Sequence, residues 1–194
     1  MVMRNGSKIV AMWSQSGIRW AQAALLFGVC GAASSQLVNL EGWSTWGFYL
    51  LPIPFGILAA WLCVESIVPG IALVILDAAV WQLAYRMAHW FATDGPPLQR
   101  VAAMYLAGLV GGLGVSLATA LAKRQAPGMR AVGIGALTGG VCGLPFAWWV
   151  IAGDRVPIPE WAFWTLCFAI WQAAVGVCLW RGFGVGRDTA PKPG

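Results

Sequence analysis

One aspartate stands inside a long apolar run. In 68–90, VPGIALVILDAAVWQLAYRMAHW, Asp77 is the only acidic residue and falls near the middle. A run of this length can cross a bilayer, which takes about 20 apolar residues. A carboxylate at that depth costs about 2.5–3.5 kcal/mol on insertion scales, so it marks a binding or transport role or a specific partner. The same run carries Trp81, Gln82, Tyr85, Arg86 and His89. Helical spacing puts Gln82, Arg86 and His89 on one face, at i, i+4 and i+7, and turns Asp77 away from Arg86. These residue types can hold a small organic solute: indole and amide groups by stacking and hydrogen bonding, and Asp77 by taking a cation, a proton or an amine. The blander roles are ordinary too. Arg86 and His89 can snorkel to the headgroups beside Trp90, and mid-membrane tryptophans can fill space between helices.

A second run, 158–180, echoes the first. At an offset of 90, Pro69 matches Pro159, Trp81 matches Trp171, Gln82 matches Gln172 and Trp90 matches Trp180. Trp171 and Gln172 therefore join the candidate site. The second run carries Cys167, Val175, Gly176 and Leu179 where the first has Asp77, Tyr85, Arg86 and His89, so the polar load sits in one copy. Further ordered matches (Gly31 with Gly112, Ser35 with Ser116, Pro54 with Pro145) extend the echo to two halves. Three spans per half is an odd number, which makes the second half cross in the opposite sense. That is an inverted repeat, with its site expected near the midplane between halves.

These elements need a membrane to position them. Of the 194 residues, 59% are hydrophobic and only 10% charged, against about 25% charged in soluble domains. The expectation is an all-α integral membrane protein, a single domain over 1–194 with six transmembrane helices. Spans are predicted at about 18–38, 45–64, 68–91, 100–122, 131–152 and 158–180, preceded by a cytoplasmic segment 1–17 and followed by a tail 182–194. Repeat one covers 18–92 and repeat two 98–181. Pro52 and Pro54 predict a kink or an unwound turn in the second span. Asp94-Gly95-Pro96-Pro97 is the clearest break between spans.

Small residues recur at helical spacing in Ala24, Gly28 and Ala32, in Gly108, Gly112 and Ser116, and in Gly135, Gly139 and Gly143. In lipid such stripes let backbones approach closely, either within the chain or against a homo-oligomeric or larger membrane partner. Trp13, Trp20, Trp43, Trp46, Trp90, Trp161 and Trp180 fit interfacial belts.

Orientation follows from the basic residues. With the amino terminus inside, Arg4, Lys8, Arg19, Lys123, Arg124, Arg130, Arg181, Arg187 and Lys192 fall on the inner side, against Arg86, Arg100 and Arg155 outside. Both termini are expected to be cytoplasmic, in a bacterial inner membrane. The net charge of +5 is explained by this bias and by attraction to anionic lipid, with no nucleic acid needed.

No enzyme is expected. The chain has no HExxH, GxSxG or CxxC and a single histidine, so neither a metal nor a cofactor site is predicted. The function expected is a transporter, channel or membrane-embedded binding component for a small organic solute. The alternatives are a non-catalytic accessory or assembly subunit of a larger membrane complex, or a vitamin-uptake protein. In size and span count, and in the stripe Ala24, Gly28 and Ala32, the chain resembles the S-components of energy-coupling-factor transporters. That resemblance implies vitamin binding; the internal repeat departs from it.

Overall fold

A computed structural model describes residues 20–40, 49–92, 95–126 and 128–184. The expected segment 1–17, most of the expected tail and Trp13, Trp43 and Trp46 lie outside them. Six named α-helices follow in order: α1 (Trp20–Leu40), α2 (Ile53–Cys63), α3 (Ile67–Ala92), α4 (Pro97–Ala122), α5 (Met129–Ala152) and α6 (Glu160–Phe183). A short 3-10 turn, Gly153–Arg155, joins the last two.

Four of these, α3 to α6, are long and apolar enough to cross a membrane. Their large apolar side chains are bare on the outside: Ile71, Ile75, Leu106, Leu137, Val141 and Leu166 are all exposed. A water-facing surface does not carry such a belt. The chain is a membrane protein.

The second predicted span differs most from expectation. Tyr49 and Leu50 are helical, Leu51 and Pro52 form a turn, and α2 then runs for only 11 residues. Pro52 and Pro54 cause the interruption, because neither can donate to the carbonyl one turn back. Pro54 also occupies the second position of α2, where a missing donor costs least.

The helices form a ring in which each touches its neighbour in sequence, and α6 closes the ring against α1. Glycine sets the closest approaches. A Cβ added at Gly108 would strike the carbonyl of Gly139, and one at Gly112 the carbonyl of Gly135. A Cβ at Gly143 would lie 2.5 Å from the Met104 carbonyl oxygen. The stripes of α4 and α5 are thus interlocked with each other, backbone on backbone.

On α1 the contact face is displaced from the expected stripe. Ala24, Gly28 and Ala32 are only half-buried, whereas Ala23, Phe27, Gly31, Ser34 and Ser35 are buried. The tight point is Gly31, where an added Cβ would lie 2.9 Å from Ala169 Cα. Polar bonds reinforce this antiparallel pair. Ser35 Oγ and Thr165 Oγ1 share a hydrogen bond of 2.9 Å, and Gln36 Nε2 donates to Thr165 Oγ1 at 2.8 Å.

The two ends of the bundle differ. At one end Lys123 Nζ donates to the Phe183 carbonyl at 2.7 Å, and Gly182 meets Ala131. This end gathers Lys123, Arg124, Arg130 and Arg181, together with the start of α1 at Trp20. At the other end Arg100 clamps the α3–α4 connection and the end of α5, donating to Gly95 O at 2.7 Å and Val150 O at 2.9 Å. Trp20, Trp90 and Trp161 are exposed near these ends, in the positions of an aromatic belt.

Candidate functional site

The ring leaves space at its centre in the half nearer Arg100. A cavity of about 330 Å³ lies among α3, α4, α5 and α6, at the lower end of the size range of small-molecule sites. Its wall is aromatic: Trp81 and Tyr85 from α3, Phe146 from α5, and Trp164, Phe168 and Trp171 from α6. The α4 side is made of small residues, with Ala107, Gly108 and Gly111 leaving the room. The rings brace one another. Trp81 and Phe168 have centroids 5.4 Å apart, Phe146 and Phe168 5.3 Å, and Trp164 stacks on Phe168 at 6.2 Å. Such contacts fix ring orientations beyond what area burial alone would do. At the outer end His89 is exposed and stacks on Tyr85 with centroids 6.1 Å apart.

Trp81, Gly111 and Trp171 also line a second, much smaller pocket deeper in the bundle. Its void is only about 10 Å³, and its other walls are Leu51, Pro52, Phe55, Asp77, Val80 and Gln172. The interrupted helix therefore meets α3, α4 and α6 here, with its turn placed at the pocket. Gly56 lets α2 come this close: a Cβ there would sit 3.1 Å from Asp77 Oδ2 and 3.2 Å from Val74 Cα.

Asp77 and Gln172 are 5% and 2% exposed. Among the described residues, three buried side-chain atoms lack a hydrogen-bond partner: Asp77 Oδ2, Trp81 Nε1 and Gln172 Oε1. All three belong to residues of this one pocket. Buried polar groups are nearly always bonded, and each exception calls for a reason. The three exceptions, two acceptors and a donor, gather around one void.

Below the pocket, toward the Lys123 end, the bundle is closed by a packed core that includes Phe27, Leu62, Leu73, Val115, Val175, Leu179 and Phe183. The polar pocket thus lies between an aromatic cavity on one side and a dry seal on the other.

The eight residues singled out in the sequence divide. Asp77, Trp81, Trp171 and Gln172 come together in the small pocket, and Trp81, Tyr85, His89 and Trp171 line the cavity. Gln82 and Arg86 line neither. At about 100° per residue, Gln82 and Arg86 lie about 140° and 180° around α3 from Asp77, and Arg86 is exposed. Of the matched pair, Gln172 lines the small pocket and Gln82 does not. The sequence reading also missed Phe146, Trp164 and Phe168. The signal for Trp164 and Phe168 was available as their spacing with Trp171 and Gln172 down one face of α6, whereas Phe146 lies on α5, outside that pattern.

No protein-family model matches the chain, and no curated protein or solved structure shows significant similarity to it.

Proposed function

We propose that the protein is a membrane-embedded binding or transport component for a small organic solute. The observation that carries this reading is the convergence of three unpartnered buried polar atoms in a pocket that shares Trp81, Gly111 and Trp171 with the aromatic cavity. The solute's apolar body would occupy the cavity and its polar end would meet Asp77 and Gln172.

In this reading α1 and the broken second helix also cross the bilayer, giving six spans with both termini cytoplasmic. The basic end of the bundle faces the cytoplasm by the excess of Lys and Arg there, which turns the cavity toward the outside. A bacterial inner membrane fits the same rule. The 3+3 repeat draws support from the meeting of Trp81 with Trp171 in one pocket and from the pairing of α1 with α6 and of α3 with α4, which an exchange of halves would interconvert. The unequal lengths of α2 and α5 count against a close symmetry. The accessory-subunit alternative leaned on the glycine stripes, and those of α4 and α5 are spent on each other.

The test is a thermal-shift screen of the full chain in lipid nanodiscs against small amphiphilic solutes. Ala88 lines the cavity, and Ala88→Phe should fill it. A solute that raises the melting temperature of the wild type but not of Ala88→Phe supports the reading. A screen in which every shift survives Ala88→Phe would refute it.

A further inference from the structure

The pocket specifies more about its occupant than its size. Resting on the solute reading above, we propose that the ligand is a primary amine on a flat apolar body, with its ammonium group in the small pocket between Asp77 and Gln172. Three observations carry this.

The first is charge. No described residue forms a hydrogen bond or ion pair with Asp77 Oδ2, and among the described residues no basic side chain lines either cavity apart from His89 at the exposed end. A carboxylate inside a membrane protein is usually paired, and here the described residues supply no counter-ion. The second is valence. Asp77 Oδ2 and Gln172 Oε1 are both acceptors without donors. An ammonium group, with three donors and a charge, answers both at once. The third is size and surroundings. A void of about 10 Å³ is close to the room one water needs, and an ammonium group is of similar size. Trp81 and Trp171 line both spaces, and an indole ring attracts a cation held over its face.

The carbon skeleton would lie in the cavity, whose lining shares Trp81, Gly111 and Trp171 with the small pocket. The remaining donor, Trp81 Nε1, asks for an acceptor on the ligand next to its amine. Water alone could satisfy all three atoms by donating twice and accepting once, but it would bring no charge. The two occupants are therefore separable by experiment.

The probes are 2-phenylethylamine and its neutral counterpart 2-phenylethanol, titrated calorimetrically into the full chain in nanodiscs at pH 7. The amine is expected to bind about tenfold or more tightly than the alcohol, as for a hydrogen bond to a charged partner. Asp77→Asn should bring the amine down to the level of the alcohol and leave the alcohol unchanged. Gln172→Met, which removes the second acceptor with little change in shape, should weaken the amine severalfold. It also serves as the readout if Asp77→Asn does not fold. Equal binding of amine and alcohol, or an amine affinity indifferent to both substitutions, overturns the ammonium assignment. If that binding is still lost in Ala88→Phe, the solute reading survives the loss. Binding of neither probe at millimolar concentration also overturns the assignment, and the broader screen then judges the solute reading alone.

Discussion

A residue kept for a ligand should cost the empty protein stability, and Asp77→Asn measures that cost. Asp77 Oδ2 is buried without a partner, and an unsatisfied buried acceptor costs about 1–3 kcal/mol, more when charged. Insertion scales put a carboxylate at the bilayer centre at about 2.5–3.5 kcal/mol. Asparagine has nearly the same shape, so the packing of Gly56 against residue 77, where a Cβ would lie 3.5 Å from Asp77 Cβ, is preserved. Removing the charge should stabilise the ligand-free protein by about 1–3 kcal/mol. For a chain of 194 residues this moves the melting temperature by about 2–4 °C per kcal/mol, upward. Asp77→Leu removes the same polar group but pushes extra volume toward Gly56, and overpacking of about 1–3 kcal/mol cancels the gain. The assay is intrinsic tryptophan fluorescence during a thermal ramp, in nanodiscs without ligand. A melting temperature that falls by several degrees in Asp77→Asn would refute the reasoning, because it would mean that the carboxylate has a stabilising partner in the folded state.

Four further outcomes are expected. Gly112→Leu should lower the melting temperature by about 2–4 °C for each of the 1–3 kcal/mol of overpacking, since its Cβ would strike the Gly135 carbonyl. Gly133→Ala, with nothing within 4 Å, should be neutral or stabilising through helix propensity, and equal losses at both glycines would show that α4 and α5 are not interlocked. Lys123→Met should destabilise by about 1.5–3 kcal/mol through loss of the 2.7 Å bond to the Phe183 carbonyl from a charged donor; an unchanged melting temperature would show that bond to be spent in solvent exchange. In a variant freed of its native cysteines, Glu65→Cys and Leu98→Cys, both at exposed positions, should react with a membrane-impermeant thiol reagent from opposite faces. Reaction from the same face would remove the proposed sidedness.

The sequence showed much of this architecture because a bilayer makes unusual demands. Apolar runs near bilayer length located the helices within a few residues, and prolines at 52 and 54 marked the interruption at Leu51–Pro52. Asp77 could be found because it has no excuse in an apolar run. The identity of its neighbours was harder to read. Trp171 and Gln172 emerged through internal similarity, whereas Gln82, grouped with Arg86 and His89 by helical spacing, lines neither pocket, because spacing along one helix does not give its rotation relative to the bundle axis. On α1 the register Ala24, Gly28, Ala32 was chosen by residue size, whereas the helix turned to bring Gly31 against Ala169 and Ser35 against Thr165. Which side of a helix faces inward depends on partners far along the chain, and local spacing carries little of that information.

The closure of the ring by α6 on α1 also has a consequence for biogenesis. The Ser35–Thr165 bond joins residues 130 apart, and at roughly 5–20 residues per second the ribosome needs on the order of ten seconds to span that interval. In the six-span reading proposed above, α1 enters the membrane during that time while Gly31 has no opposing helix and the side chain of Gln36 lacks its Thr165 acceptor. Newly made α1 must be sheltered by the insertion machinery, or wait in lipid with a notch on its side, until the final helix arrives to fill it. Truncations that end before α6 would then be read by quality control as orphaned membrane segments, which places the last helix in charge of whether the first one survives.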